Sequence, residues 1–206
     1  IESPLSDVEL ASFPCSWSTA EHMLTRPDLT AGETIVVTGA SGGVGTALVQ
    51  LAKLRGARVV AVTTASKFDD VAACGADVLV DRSSGDLSGA VAEAAGGPVD
   101  VWADVVGGPD FAPLLELLRR GGRYTTAGAI AGPMVELDLR TLYLNDLELY
   151  GCTVYGPEVF TALVGYIERG EVRPVVAGTF PLTDIHAAQE AFVAKRHTGN
   201  LVITVD

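Results

Sequence analysis

Cysteine is scarce in this chain, whose 206 residues include only Cys15, Cys74 and Cys152. Three scattered thiols exclude a disulfide framework and a self-contained zinc ribbon, and such scarcity is usual in a reducing compartment. We therefore expect three free thiols, each buried by default, in a cytoplasmic protein.

Basic residues are also few, since 14 lysines and arginines stand against 26 aspartates and glutamates and leave a net charge of −12. Nucleic acids and anionic membranes both bind basic patches, so we expect neither as a partner. No apolar run reaches the roughly 18 residues that a membrane span requires. A phosphorylated ligand would therefore have to be held by a few local groups.

The chain does have a regular alternation of apolar strands and helical segments. Residues 34–38 form a β-branched run that ends in glycines, apolar positions recur at helical spacing over 44–54, and residues 58–63 form a second apolar run. This order predicts a strand, a tight turn, a helix and a second strand. Further strands are predicted at 76–80, 99–105, 123–127 and 147–153, and further helices at 67–74, 87–95, 111–118 and 159–169.

Such alternation indicates an α/β fold whose parallel sheet is covered on both faces. Right-handed crossovers make the sheet doubly wound, with six strands, as in the Rossmann fold. We assign residues 1–180 to this domain, with a lead-in helix at its start. A short C-terminal helix–strand return, with a helix at 184–194 and a strand at 200–204, occupies residues 181–206.

A glycine cluster lies at the turn between the first strand and the first long helix. The spacing of its glycines is a variant of the dinucleotide fingerprint, with one residue more between the first two. Glycines there permit a tight turn and let backbone N–H groups approach phosphate oxygens, while the amino end of the helix attracts anions. We predict a diphosphate site at this turn, the alternative being a merely flexible one. Its predicted contacts are Gly39, Ser41, Gly42, Gly43, Val44 and Gly45.

The residues after the second strand bear on which dinucleotide binds. Chains that bind NAD place an acid there, which accepts from the adenosine ribose and repels a 2′-phosphate. Here the first acid is Asp69, and the hydroxyls of Thr64 and Ser66 with the ammonium of Lys67 would form an anion pocket. We therefore expect NADP(H), with Arg82 placed over the adenine. The alternative is that Ser66 caps a helix and that both cations are merely solvated.

Short-chain dehydrogenases share the glycine pattern and have to be tested. Those enzymes need a tyrosine followed four residues later by a lysine, which lowers the pKa of the tyrosine so that it can act as acid or base. None of the five tyrosines here has a lysine at that position. The class is therefore excluded.

Several longer segments carry a family resemblance instead. They are 14–24 (PCSWSTAEHML), 31–52, 121–123 (GGR), 149–153 (LYGCT) and 198–202 (TGNLV). Together they resemble the medium-chain dehydrogenase/reductase superfamily, which includes zinc alcohol dehydrogenases and quinone oxidoreductases. The resemblance implies that this chain holds the cofactor domain and the C-terminal return of a catalytic domain whose upstream part is absent.

The same resemblance implies roles for individual residues. Val44 would press on the nicotinamide and Thr19, the candidate catalytic residue, would touch its other region, so that the ring stays at hydride-transfer distance. Gly128 and Ala129 would line the carboxamide pocket. Core packing would equally explain Val44, and a helix-start hydroxyl would explain Thr19. Asn200 stands where relatives often have a lysine, so one phosphate contact is expected to be missing.

Cys15 stands four residues before Thr19, where zinc-dependent members of that superfamily place a catalytic ligand. A thiolate suits Zn²⁺, which polarises a substrate oxygen at its open coordination position. One cysteine does not make a site, and the other ligands would have to come from upstream. Zinc in a longer protein is therefore left open, and a buried, unligated Cys15 is the expectation for this chain.

These features predict an NADP-dependent oxidoreductase module for hydride transfer to a small carbonyl, enone or quinone. Zinc would favour alcohols or aldehydes, and its absence would favour an activated C=C bond or a quinone. The alternative is a non-catalytic NADPH-binding sensor or interaction module, because no complete set of acid, base or metal ligands is evident. We also expect a homodimer, since relatives pair the edge strand at 147–153 across a two-fold axis.

Overall fold

The structure is a computed structural model that describes residues 1–205, and its largest element is a six-stranded sheet. The strands are β1 Thr34–Thr38, β2 Arg58–Thr63, β3 Val78–Asp81, β4 Val99–Asp104, β5 Leu118–Thr126 and β6 Glu148–Gly151. Their order is β3-β2-β1-β4-β5-β6, and every adjacent pair is parallel. The predicted doubly wound α/β fold is confirmed. The order reverses between β1 and β4, where such sheets open a crevice at their carboxyl ends.

Helices cover both faces of this sheet. They are α1 Asp7–Ala11, α2 Ser18–Thr25, α3 Gly43–Leu54, α4 Phe68–Ala73, α5 Leu87–Ala95, α6 Phe111–Leu115, α7 Leu139–Leu144, α8 Pro157–Glu168 and α9 Ile185–Ala194. A π-helical turn, Phe13–Trp17, leads into α2, and 3-10 turns, Ala65–Lys67 and Leu182–Asp184, lead into α4 and α9. None of the helices described in residues 1–205 has the length and apolarity to cross a membrane.

Alternate residues of the central strands face two separate cores, as the pleat of a strand requires. Ile35 and Val37 belong to the cluster that α2, α3 and α8 cover, together with Trp17. Val36 faces the other cluster, which contains Trp102 and the side chains of α5 and α6. Both faces of the sheet are therefore buried, which explains why its strands are continuous apolar runs.

Two element boundaries differ from the prediction by three residues or more. Strand β5 begins at Leu118 and helix α6 ends at Leu115, whereas the sequence predicted helix to 118 and strand from 123. The pairing with β4 shifts register between Val99 and Val101, and Gly121 has a φ of +69°. Gly121 and Gly122 therefore mark an irregularity inside β5 and not its first residues.

Helix α7 and strand β7, Val176–Pro181, were not predicted. Helix α7 lies in the segment after Gly128 that was expected to be a loop, and the Asp138 side chain caps it by accepting from Arg140 N at 2.8 Å. Strand β7 pairs in parallel with β8, Asn200–Thr204, in a second, two-stranded sheet. Because β7 straddles the expected boundary at 180/181, we now propose to divide the chain just before Val176.

Candidate functional site

The glycine loop joins β1 to the amino end of α3. Gly42 is the N-cap of α3, and no side chain caps this helix. The N–H groups of its first turn therefore lack side-chain partners. A Cβ at Gly45 would collide with the carbonyl oxygen of Gly39 and lie 2.6 Å from the Cα of Ala40. The loop is a tight turn that presents backbone donors, which is the geometry that holds a diphosphate.

The C-terminal return closes over this loop. Gly199 N donates to the carbonyl of Ser41 at 2.8 Å, and Gly42 and Gly199 form a parallel bridge. The path from α9 into β8 therefore runs alongside the glycine loop. Sequence reasoning missed this arrangement, because nothing local to residues 199–200 indicates where the return docks.

Asn200 reaches the amino end of α3 from this return. Its Oδ1 accepts from Ser16 Oγ at 2.8 Å, and a Cβ at Gly43 would collide with that Oδ1. Its Nδ2 is buried and has no hydrogen-bond partner among residues 1–205. A buried amide donor without an acceptor is costly, so this atom fits an anionic group bound at the glycine loop.

Two further predicted residues lie on helices that pack against each other. Thr19 is in α2 and Val44 is in the first turn of α3, and both are half-buried. Cys15, however, is exposed, so the expectation that it is buried is wrong. The π-turn directs Phe13 and Trp17 into the core and leaves Cys15 at the surface.

The other two cysteines are buried, and no cluster of metal ligands lies in the described residues. Cys74 and Cys152 are buried free thiols, as predicted, and burial raises the pKa of each. The part of the chain that the structure describes contains no group of three or more His, Cys, Asp or Glu side chains placed to hold a metal ion. Cys15 alone does not fit a zinc site, which needs at least three protein ligands.

The turn after β2 contains the residues that were predicted to form an anion pocket. Thr64 precedes the 3-10 turn, and Ser66 is exposed. Lys67 Nζ donates to the carbonyls of Lys195 at 2.8 Å and His197 at 2.7 Å. The ammonium thus ties this turn to the return. Its pKa is lowered, first by burial and then by neighbouring cations.

The end of β3 adds one cation and one acid to this corner. Arg82 N donates to the carbonyl of Thr63 at 2.8 Å, which brings Arg82 to the end of β2. Asp81 pairs in register with Thr63, and hydrogen bonds from Ser83 lower the pKa of its carboxyl. Sequence reasoning looked for an acid only on β2 and missed this carboxylate on the neighbouring strand.

A buried carboxylate joins the walls of the crevice. Asp104 is completely buried and accepts hydrogen bonds from the Thr38 hydroxyl, from Val106 N at 2.8 Å, from Gly107 N at 3.0 Å and from Tyr124 Oη at 2.9 Å. Burial and this carboxylate raise the pKa of Tyr124. The network fixes the end of β1 to β4, to β5 and to the loop after β4.

Gly128 and Ala129 lie in the loop after β5. Thr126 Oγ1 donates to the carbonyl of Gly128 at 3.1 Å, and a Cβ at Gly128 would lie 3.3 Å from the carbonyl of Val105. A Cβ at Gly39 would lie 2.8 Å from the Val105 side chain. Val105 therefore lies between the loop of Gly128 and Ala129 and the glycine loop.

A family model described as zinc-binding dehydrogenase matches residues 43–169. The chain belongs to the zinc-binding dehydrogenase family. The resemblance to medium-chain dehydrogenases and reductases that the sequence motifs indicated is therefore confirmed. The roles of the individual site residues stay predictions.

Similar proteins include both sequence relatives and solved structures. Acryloyl-coenzyme A reductase of Metallosphaera sedula is 34% identical over 201 residues, covering 97% of this chain and 59% of that protein. A Sinorhizobium meliloti 1021 structure assigned as an alcohol dehydrogenase is 52% identical with a TM-score of 0.96, covering 99% of this chain and 57% of that one. The 2-octenoyl-CoA carboxylase reductase CinF, solved with NADP and 2-octenoyl-CoA, is 25% identical with a TM-score of 0.91, covering 98% and 51%. The chain thus spans between half and three fifths of the length of these relatives.

Proposed function

We propose that this chain binds NADP(H) and positions it for hydride transfer to a small electrophilic substrate, as one part of a larger oxidoreductase. The observation that carries the proposal is the uncapped amino end of α3 beside the unpartnered amide of Asn200. Both offer hydrogen-bond donors at the place where a dinucleotide fold holds diphosphate. When bound, the reduced cofactor supplies the hydride.

In this proposal the residues of the chain bind and orient. Backbone N–H groups at the start of α3 hold the diphosphate, with the Asn200 amide as an additional donor. Val44 and Thr19 flank the nicotinamide, and the backbone of Gly128 and Ala129 lines the carboxamide pocket. Rigid flanking groups of this kind raise the rate by keeping the ring at reacting distance. The remaining substrate contacts would belong to a catalytic part outside this chain.

The names of the relatives bear on the substrate class. Two of the three are reductases whose names include an unsaturated acyl-CoA. Within the predicted set of carbonyls, enones and quinones, this favours an activated C=C bond. The non-catalytic sensor is not favoured, because the relatives are named as enzymes.

We also propose that the chain is cytoplasmic and forms a homodimer. Strand β6 has β5 as its only neighbour in the described sheet. Beside it, α7 exposes Leu139, Tyr143 and Leu144, and Leu149 of β6 is also exposed. An unpaired strand next to an exposed apolar surface is a common site of two-fold association.

Titration calorimetry of the chain with NADPH and with NADH tests the cofactor assignment. We expect NADPH to bind at least about tenfold more tightly, since one charge-assisted phosphate contact supplies that much. Equal affinity would contradict the preference for NADP(H). Failure to bind either dinucleotide would contradict the proposed function itself.

A further inference from the structure

A cleft of about 510 Å³ lies between the turn after β2 and the C-terminal return. Ser66 and Lys67 line one wall, and Arg196 and His197 line the opposite wall. The return then continues to the glycine loop through the bond from Gly199 to Ser41. The cleft is therefore the outer end of the groove that the diphosphate site occupies.

The surroundings of this cleft are basic, although the chain carries a net charge of −12. Burial and then the charges of Lys67 and Lys195 lower the pKa of His197, which shows that these cations lie close enough to affect one another. Arg82 acts on Lys67 in the same way. Like charges gathered at one place repel, and a bound anion would relieve that repulsion. Asp70, which also lines the cleft, offsets only part of the charge.

The cations of the cleft differ in how many donors they have free. The Lys67 ammonium donates hydrogen bonds to the carbonyls of Lys195 and His197, so it holds the return in place. Arg196 is exposed, and its guanidinium makes no hydrogen bond or ion pair with any residue from 1 to 205. By contrast, Arg55, Arg119 and other arginines of this chain are paired with carboxylates. A free guanidinium presents a planar fork of donors that matches a phosphate group.

We infer that Arg196 is a specificity-determining residue that binds the 2′-phosphate of NADP(H) across the cleft from Ser66, while Lys67 acts as a strut that keeps the return in position. The C-terminal return, and not the turn after β2 alone, then decides which dinucleotide is preferred. This inference rests on the proposed function, because it requires the dinucleotide to lie along the glycine loop.

Calorimetric affinities of Arg196→Gln for NADPH and NADH test the inference. We expect the affinity for NADPH to fall at least about tenfold and that for NADH to change less than about twofold, since only NADPH carries the 2′-phosphate. Arg173→Gln, which removes an exposed arginine elsewhere, is the matched control and should leave both affinities unchanged. Circular dichroism of Arg196→Gln should be that of the parent chain, because the side chain is exposed.

Lys67→Gln separates the strut from a direct phosphate ligand. A strut that positions the return should affect NADPH and NADH to a similar extent, whereas a direct ligand would affect NADPH alone. The inference is overturned if Arg196→Gln keeps the parent ratio of affinities, or if Lys67→Gln alone changes that ratio. A parent chain that binds neither dinucleotide would overturn the proposed function as well. If the parent chain prefers NADPH and Arg196→Gln has the same ratio of affinities, only this inference is overturned.

Discussion

Asp104 shows how much a single residue contributes to the crevice. Its carboxylate accepts four hydrogen bonds from β1, β5 and the loop after β4 while completely buried. Asp104→Asn replaces one acceptor oxygen with an amide that meets donors, so at least one buried donor loses its partner. We expect the free energy of unfolding in urea to fall by about 2–4 kcal/mol.

The matched control for this change is Asp110→Asn, an exposed aspartate whose side chain caps no backbone group. It should alter the free energy of unfolding by less than about 0.5 kcal/mol. A loss of similar size in both variants, or no loss in Asp104→Asn, would show that the network around Asp104 does not stabilise the fold.

His197 is expected to make the stability of the fold depend on pH. Burial, Lys67 and Lys195 hold its pKa below the ordinary value of 6.5, and burial with Arg26 does the same for His22. The unfolded chain therefore binds more protons below pH 6.5 than the folded chain does. Stability present above pH 6.5 should be lost as the pH falls from 6.5 towards 5, with a slope of at most about 1.4 kcal/mol per pH unit for each proton.

Urea unfolding measured at intervals between pH 7.5 and 5 checks this dependence. His197→Gln should make the slope shallower, because one of the protons taken up on unfolding disappears. His186→Gln, which removes an exposed histidine of α9, is the control for the substitution. A slope that His197→Gln leaves unchanged would refute the assignment.

At the scale of the element, the sequence predicted best where the signal is local. Strands β1 and β2 were predicted with the bounds they have in the structure, because each is a β-branched apolar run with a glycine within two residues of one end. Strand β7 was missed because Pro174 precedes it and Gly178 and Pro181 lie within it, although its pairing with β8 overrides that weak propensity. Exposure of Cys15 was also missed, because the hydrophobic pattern does not indicate a π-turn.

The candidate site divides in the same way. The glycine loop could be found from spacing and from the strand before it. The contact between Asn200 and Gly43 could not, since it depends on how the return docks onto a loop far away in the sequence. Residues brought together by tertiary packing leave no periodic signal, so they become visible only in the structure.

The docking of the return gives a prediction at this scale. Gly199 has a φ of +83°, and a Cβ there would lie 2.7 Å from the side chain of Val175 and would collide with its carbonyl oxygen. Gly199→Ala should therefore displace the return from the glycine loop. We expect faster amide hydrogen exchange in β8, measured by mass spectrometry, with β1 unaffected. Gly97→Ala, which has open space around it, is the control, and equal exchange in both variants would contradict this role of Gly199.

At the scale of the whole molecule, exposed apolar side chains include those of two regions, one on α9 and one on α7 and β6. The return exposes Phe192 and Val193 on α9, whereas α7 and β6 expose apolar side chains beside an unpaired strand edge. The second region lies at the edge of the six-stranded sheet and combines free backbone groups with apolar surface, which is what a two-fold extension of that sheet requires. We therefore place the dimer interface at β6.

Leu149→Asp tests this placement of the dimer interface. Leu149 is 39% exposed on β6, and a carboxylate there would be brought near its own symmetry copy and away from water on association. We expect light scattering after size-exclusion chromatography to give the dimer mass for the parent chain and a shift towards the 21.4 kDa monomer for the variant. Val193→Asp, at a residue 74% exposed on α9, should remain dimeric. A parent chain that is monomeric at high concentration would contradict the homodimer. If Val193→Asp dissociates and Leu149→Asp does not, the interface lies elsewhere, because the proposed dimer requires burial of the β6 edge.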